Sequence, residues 1–237
     1  MPARSSKRAS VRRARAPIAP HAGRGRPSNE NAAKPRNVRE ARSAARREAI
    51  LSAALDEFSS RGFAAARLDD VAKRAGVAKG TIYLYFADKE TLFQELVRSM
   101  LTPVIGQFEA LATVNIPFPV LAERLVDVAA REVFGSRRKD IIRLIISEGP
   151  RFPAIAEFYY REVLSRVFAA LQQILQRAFE RGEIRHRGLV AFPQLLAAPV
   201  LVAVVWSGLF DKQAPLDVRA MLNAHLDILF DRDGGRS

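Results

Sequence analysis

Residues 62–93 read GFAAARLDDVAKRAGVAKGTIYLYFADKETLF and contain two short helical patterns joined by a turn. In the first pattern, apolar side chains recur at the spacing i, i+3, i+4, i+7, which places them on one helix face: Leu68, Val71, Ala72 and Ala75. Gly76 follows, and a glycine ends a helix well because it takes a positive φ without a clash at Cβ. Ile82 and Phe86 form the second pattern. The stretch therefore predicts a helix-turn-helix over residues 67–86.

The second of these helices has an unusual exposed side. Five residues are predicted to point away from Ile82 and Phe86: Lys79, Gly80, Thr81, Tyr83 and Tyr85. A cation, a hydroxyl and two phenols can all give hydrogen bonds to phosphates and base edges. A solvated face of a small helical bundle is the alternative interpretation. The face predicts contact with double-stranded DNA.

The charge of the chain is concentrated at its start. The formal net charge is +13, and residues 1–42 hold twelve Arg or Lys against Glu30 and Glu40, a balance of +10. This segment has no apolar periodicity and is predicted to be a disordered basic tail with a polyanionic partner. Within it, Arg24-Gly25-Arg26-Pro27 resembles the core of an AT-hook, whose two arginines, Arg24 and Arg26, would enter an A·T minor groove. A chance match in an Arg-rich segment is the alternative.

Composition narrows the remaining chemistry. The 237 residues include no cysteine and only three widely separated histidines, so disulfides and thiolate zinc sites are excluded and no metal or cofactor is predicted. No Gly-rich phosphate loop, HExxH or GxSxG motif occurs, so no catalytic residues are predicted. An acid–base pair hidden among the carboxylates stays an open alternative.

The order of the patterns predicts an all-α chain. Helices are expected over 43–61 and around 67–86, and from Asp88, a side chain suited to capping, to about residue 101. A short helix around 104–111 and a turn should follow, and then five further helices: 120–134, 139–148, 154–181, 189–209 and 216–230. The predicted organisation is a basic tail over 1–42, a DNA-binding domain over 44–104 and a helical effector-binding and dimerisation domain over 105–233.

Residues 189–210 form an uncharged run of 22 residues, LVAFPQLLAAPVLVAVVWSGLF. By length alone the run is a membrane-span candidate. Pro193, Pro199 and the amphipathic helices on either side argue instead for a buried helix or an oligomer interface. We therefore expect a homodimer in the cytoplasm with no membrane partner, whose contacts come from Leu189–Leu209 and Leu216–Phe230.

The segment AGVAKGTIYLYFADKETLF, residues 75–93, resembles the recognition helix and following helix of the tetracycline-repressor (TetR) family of bacterial regulators. Two cap positions depart from the family, which usually has Ser or Thr in place of Arg67 and Ser in place of Ala78. The resemblance implies a transcriptional regulator, more often a repressor, released from a palindromic operator by a small hydrophobic effector. It also implies phosphate contacts from Arg47 and Lys89; Tyr85 is a further candidate for phosphate.

The resemblance further implies an effector site in the C-terminal helices. The candidate lining residues are aromatic: Phe108, Phe134, Phe152, Phe158, Tyr159 and Trp206. Plain core packing is the alternative for each of them. A different class of function is an architectural DNA-binding protein, in which the basic tail would dominate and the body would only dimerise.

Overall fold

The computed structural model describes residues 34–230, with side chains from residue 38, and every regular element in this range is helical. The all-α prediction is therefore confirmed. The α-helices are α1 Lys34–Ala65, α2 Leu68–Arg74, α3 Lys79–Tyr83, α4 Lys89–Thr113, α5 Phe118–Val128, α6 Arg138–Glu148, α7 Pro153–Tyr159, α8 Ser165–Glu180, α9 Arg187–Ala191, α10 Gln194–Leu209 and α11 Val218–Phe230. Two π-helical turns, Ala129–Phe134 and Tyr160–Leu164, continue α5 and join α7 to α8.

Two glycines shape the helix-turn-helix as its sequence predicts. Gly62 has φ 74°, which interrupts α1, and a Cβ built on it would lie 2.8 Å from Glu148 Oε1. Gly76 has φ 68°, its N–H bonds to the carbonyl of Lys73, and the next N–H, of Val77, bonds to Ala72. This pair of bonds is a Schellman ending, which satisfies the last carbonyls of α2 and turns the chain toward α3.

The N-termini of α2 and α3 have extended residues at the cap positions. Arg67 and Ala78 both take extended backbone angles, and neither side chain makes a capping hydrogen bond. Asp69 and Asp70 occupy the first turn of α2, where acidic groups favour the helix dipole. By contrast, the Asp88 side chain accepts a hydrogen bond of 2.7 Å from the backbone N–H of Thr91, which confirms it as the cap of α4.

The predicted end of the helix that starts after Asp88, at about residue 101, was wrong. A short separate helix around 104–111 was expected because Pro103 interrupts the pattern, but α4 runs unbroken through Pro103 for 25 residues. A proline inside a helix removes one hydrogen bond. Buried side chains on both sides of it, including Leu96, Leu101 and Ile105, hold the helix in place by packing.

The expectation of a single helix over residues 189–209 was also wrong. This stretch forms two helices, α9 and α10, separated at Phe192 and Pro193, and α10 is only 16 residues long. Pro193 supplies no N–H and restricts the residue before it, which ends α9. Within residues 34–230, no helix is both long and apolar enough to cross a membrane.

Two apolar clusters surround α4. The first joins side chains of α1–α4, such as Phe58, Phe63 and Ile82, to Ile141 of α6 and Ile155 of α7. The second packs α5, α8, α9 and α11 together, with Ala112 near the end of α4. The helix-turn-helix therefore shares a core with α6 and α7, which belong to the helices after residue 104, here called the body. The predicted boundary between residues 104 and 105 falls inside α4, and α1 begins at Lys34, so residues 34–42 are helical and the expectation that they belong to a disordered tail was wrong.

Candidate nucleic-acid interface and effector cavity

Helix α3 is anchored from below by Ile82 and by Phe86 just after its end, which are 0% and 2% exposed. Its other side carries the predicted DNA-facing groups. Lys79, Gly80 and Tyr83 are exposed, and Thr81 is half-buried. No atom lies within 4 Å of the position of a Cβ on Gly80, so the backbone of this turn can be approached closely.

The carboxylate of Asp69, in α2, contacts two side chains on the exposed face of α3. Its Oδ2 accepts a hydrogen bond of 2.7 Å from Lys79 Nζ, and its Oδ1 lies 3.5 Å from the hydroxyl of Tyr83. The hydrogen bond from Lys79 lowers the pKa of Asp69, and the same bond raises the pKa of Lys79. Both groups are charged at neutral pH. When no DNA is bound, the predicted DNA-binding domain of residues 44–104, here called the head, therefore presents an ion pair where α3 would meet DNA.

Lys89 has a partner that the sequence did not reveal. Its Nζ donates hydrogen bonds of 2.9 Å to the carbonyl oxygens of Phe63 and Ala64, at the end of α1, and lies 4.8 Å from the centre of the Phe63 ring. These contacts satisfy carbonyls that the helix leaves open and explain a basic residue in the first turn of α4. Its phosphate contact stays a prediction.

The other candidate phosphate ligands are also engaged within the protein. Tyr85 was expected to point outward with Tyr83, but it is half-buried and its hydroxyl lies 3.0 Å from Ser43 Oγ. Tyr85 follows Ile82 by three residues, and its N–H bonds to the carbonyl of Ile82, so its side chain lies beside the buried face of this turn. The guanidinium of Arg47 forms an ion pair with Glu95. Arg24 and Arg26 lie outside the described residues.

A cavity of about 470 Å³ lies in the body of the protein. Its walls are formed by α4, α5, α6, α8, α10 and α11, the last residue of α7 and the adjoining π-helical turns. Among the residues that the structure describes, the lining is apolar except for Gln194, His225 and Tyr159, and it includes no Asp, Glu, Lys or Arg. Burial raises the pKa of the Tyr159 phenol, which is therefore neutral at physiological pH. Such a cavity suits a hydrophobic or amphipathic ligand.

Two of the six aromatic candidates, Phe108 and Tyr159, line this cavity. Their neighbours there are aliphatic or aromatic side chains that the sequence did not single out, among them Val104, Ile105, Val126, Ile145, Phe168 and Leu171. These residues continue the ordinary apolar stripes of their helices. No sequence signal separates a stripe that meets another helix from one that borders a cavity.

The other four aromatic candidates lie elsewhere. Phe152 packs edge-on against Phe63, with ring centres 5.0 Å apart, and Phe158 is buried beneath the guanidinium of Arg98. Trp206 is partly exposed and donates to the carbonyl of Ala214 at 2.8 Å. Val133 lines the cavity, whereas its neighbour Phe134 is not part of the lining. The expectation that these four form the effector site was therefore wrong for this cavity.

Helices α10 and α11 expose large apolar side chains. Leu201, Val202 and Leu209 of α10 are 52%, 54% and 63% exposed, and Ile228 of α11 is 80% exposed. Isolated apolar residues are common on protein surfaces, but several on two adjacent helices mark an interaction surface. Both helices belong to the segments that were expected to form the dimer.

Comparison with known proteins gives matches over the head and the body. The profile of "Bacterial regulatory proteins, tetR family" matches residues 50–96, and that of "Tetracyclin repressor-like, C-terminal domain" matches residues 122–229. The transcriptional repressor BepR of Brucella suis biovar 1 is 32% identical over 171 residues, covering 70% of this chain and 79% of that protein.

Solved structures agree in fold. A TetR-family regulator from Mesorhizobium loti matches with a TM-score of 0.59 at 26% identity, over 81% of this chain and 96% of that one. The regulator FadR from Bacillus subtilis, solved in complex with stearoyl-CoA, matches with a TM-score of 0.62 over 77% of this chain and 97% of that one. Its identity is 21%, so this likeness concerns the fold alone.

Proposed function

The chain belongs to the TetR family of bacterial transcriptional regulators, and from that membership we propose that it is a dimeric repressor released from a palindromic operator by a small hydrophobic effector. The observation that carries the proposal is the course of α4. Its first turns bury Leu92 and Phe93 in the core of the head, and its later turns supply Leu101, Val104, Ile105 and Phe108 to the cavity wall. A ligand that displaces this wall would move the head.

Helix α6 offers a second connection between cavity and head. Its residues Ile142, Ile145 and Ile146 border the cavity. Just before and at its start, Arg137 Nη1 donates to Asp56 Oδ1 of α1 at 2.6 Å, and Arg138 Nε donates to the carbonyl of Met100 in α4 at 2.6 Å. Because both bonds join α6 to helices of the head, an effector between α4 and α6 would bias the head's position.

The proposed effector is uncharged where it enters the cavity. Among residues 34–230, no Asp, Glu, Lys or Arg lines the wall, and burying an unpaired charge there would cost several kcal/mol. Gln194, His225 and Tyr159 would supply the few polar contacts that orient the ligand. Phe108 and Tyr159 are the predicted aromatic residues that remain in this proposal.

DNA recognition is assigned to the head and the tail together. Lys79, Gly80, Thr81 and Tyr83 are proposed to reach bases or nearby phosphates, with Arg47, Tyr85 and Lys89 on phosphates at the edge. One short recognition helix reads few base pairs, so two heads in a dimer are needed on a palindrome. We assign the dimer contact to the exposed apolar side chains of α10 and α11. The +10 tail, with Arg24 and Arg26, would add affinity by neutralising phosphates.

The test is selection of bound DNA from a random library, followed by displacement. We expect a palindrome whose half-sites lie about one helical turn apart or a multiple of it. A panel of small uncharged apolar compounds is then titrated into the complex, and release by at least one of them is expected. A·T tracts without symmetry would instead support an architectural protein. A chain without residues 1–33, which precede α1, should bind more weakly, with a shallower salt dependence and the same sequence preference.

A further inference from the structure

Asp69 is the acidic group nearest to the exposed face of α3, and both of its oxygens are directed at that face. It lies in the first turn of α2, yet its contacts, Lys79 and Tyr83, are ten and fourteen residues further along the chain. Lys79 is the only cation in α3. A carboxylate therefore stands beside the one lysine of the recognition helix, on the surface proposed to meet DNA.

On DNA this arrangement must change. Lys79 can neutralise a phosphate only by giving up part of its bond to Asp69, and a carboxylate left close to phosphates is repelled. The repulsion is offset where the DNA offers Asp69 a donor. In the major groove that donor is an exocyclic amino group, and an acidic side chain pairs with the N4 amino group of cytosine. Random DNA presents a cytosine at the required place in only about one register in four.

We propose that Asp69 is a specificity-determining residue, which accepts a hydrogen bond from a cytosine in each operator half-site and weakens binding to DNA that lacks this base. The inference rests on the proposed function, because it requires that α3 enters the major groove. Asp69 would then act in two ways. It would read one base directly, and its negative charge would lower the affinity for non-specific DNA that Lys79 and the basic tail provide. The cost of Asp69 on wrong DNA is then part of how the head discriminates.

The test compares Asp69→Asn with Asp70→Asn. Both changes remove one negative charge from the same turn of α2, so the general electrostatic effect is matched. Asp70 contacts Arg61 at 3.3 Å, and Arg61 keeps Glu57 as a partner at 3.1 Å, so this control leaves α3 untouched. Asp69→Ala is included as a third variant because it removes the hydrogen bond to Lys79 as well as the charge.

Random-library selection is run with all four full-length proteins. We expect the wild-type motif to contain a cytosine that Asp70→Asn retains and that Asp69→Asn replaces with adenine, since an asparagine amide pairs with adenine N6 and N7. The ratio of operator to random-DNA affinity should fall roughly five- to hundredfold in Asp69→Asn, the range of one mismatched base pair. Its salt dependence on random DNA should steepen by about one unit, because Lys79 is released to phosphate.

The outcomes separate the two levels of inference. A wild-type protein that enriches no motif overturns the proposed function and the role of Asp69 together. A palindrome that Asp69→Asn and Asp70→Asn leave equally unchanged retains the regulator and overturns the role of Asp69. If Asp69→Asn and Asp69→Ala only weaken binding, with the same motif and a native melting curve, Asp69 is a positioning residue for Lys79 and base reading is disproved.

Discussion

The ammonium group of Lys89 lies 2.9 Å from the backbone carbonyl of Phe63 and 4.8 Å from the centre of that residue's ring. One side chain from the start of α4 thus closes the end of α1, next to the kink at Gly62. Lys89→Met keeps the aliphatic stem but removes the charge and both hydrogen bonds. We expect it to lower the free energy of unfolding by about 1–2 kcal/mol, measured by urea denaturation.

Lys73→Met, on the exposed surface of α2, is the matched control for that change and should shift stability by less than about 0.5 kcal/mol. Equal stability of the two variants would show that the contacts of Lys89 contribute nothing. The same proteins test its second assignment. If Lys89 also binds phosphate, Lys89→Met reduces the salt slope of operator binding by about one unit.

The hydroxyl of Tyr83 is proposed to contact DNA. Tyr83→Phe removes this group and keeps the ring, and Thr81→Ala removes the neighbouring hydroxyl. Each should weaken operator binding by about 1–3 kcal/mol while the circular dichroism spectrum stays helical. Tyr160→Phe, in an exposed tyrosine of the body, is the control and should bind normally. Unchanged operator affinity in either head variant at moderate salt would remove that residue from the interface.

The cavity can be filled from α4. Val104→Phe adds a ring inside the cavity and should reduce binding of an uncharged hydrophobic fluorescent dye, Nile red, at least severalfold. Operator binding without effector should persist. Val120→Phe makes the same exchange at an exposed position of α5 and should leave dye binding intact. Dye binding that is equal in both variants would place the ligand outside this cavity.

The capping carboxylate of Asp88 predicts a pH effect on stability. The hydrogen bond from the Thr91 backbone N–H lowers the pKa of Asp88 in the folded state. The bond therefore stabilises the fold above the carboxyl pKa of the unfolded chain, about 3.9, and the stabilisation is lost as the pH falls through the lower folded pKa. Asp88→Ala should cost about 1 kcal/mol at pH 7 and progressively less below about pH 4.

Urea titrations at several pH values measure that difference, with Asp211→Ala in an exposed turn as the control. The control should lie close to the wild type across the range. A constant gap between the wild type and Asp88→Ala down to the folded pKa and below would show that the carboxylate is not the source of the stabilisation.

The exposed apolar side of α10 predicts the oligomeric state. Leu201→Glu places a charge among side chains proposed to be buried between two protomers, and we expect sedimentation to show a monomer. Binding to a full palindrome should then fall at least tenfold, whereas binding to one half-site should change little. Val120→Glu, at an exposed valine of α5, should remain dimeric. A dimeric Leu201→Glu protein would move the interface elsewhere.

Local chemistry explains which parts of the fold were predictable. Asp88, Gly76 and Gly62 act on backbone groups within a few residues, so their effects on helix ends can be read from neighbouring positions. Pro103 and Pro193 have the same local chemistry but opposite outcomes. Helix α4 continues through Pro103 because side chains on both sides of it are packed, whereas the helix is interrupted at Pro193. The difference depends on neighbours far away in sequence.

The candidate site divides in the same manner. The spacing of Ile82 and Phe86 was enough to place Lys79, Gly80 and Tyr83 on the exposed side of α3. Tyr85 was placed wrongly because it follows the buried Ile82 by three residues and so lies beside the buried face, and four of six aromatic residues do not line the cavity. Periodicity identifies a buried face, but it contains no information about what that face meets.

By itself, the sequence determined the helical class, the helix-turn-helix of residues 67–86, the family and the basic tail, because each depends on residue types at short, regular spacing. Only the tertiary structure decided three features. Asp69 is hydrogen-bonded to Lys79, Lys89 donates to carbonyls at the end of α1, and α4 runs from the head to the wall of a cavity. These features join groups ten to more than a hundred positions apart. Their existence depends on how helices pack, which short-range periodicity does not encode.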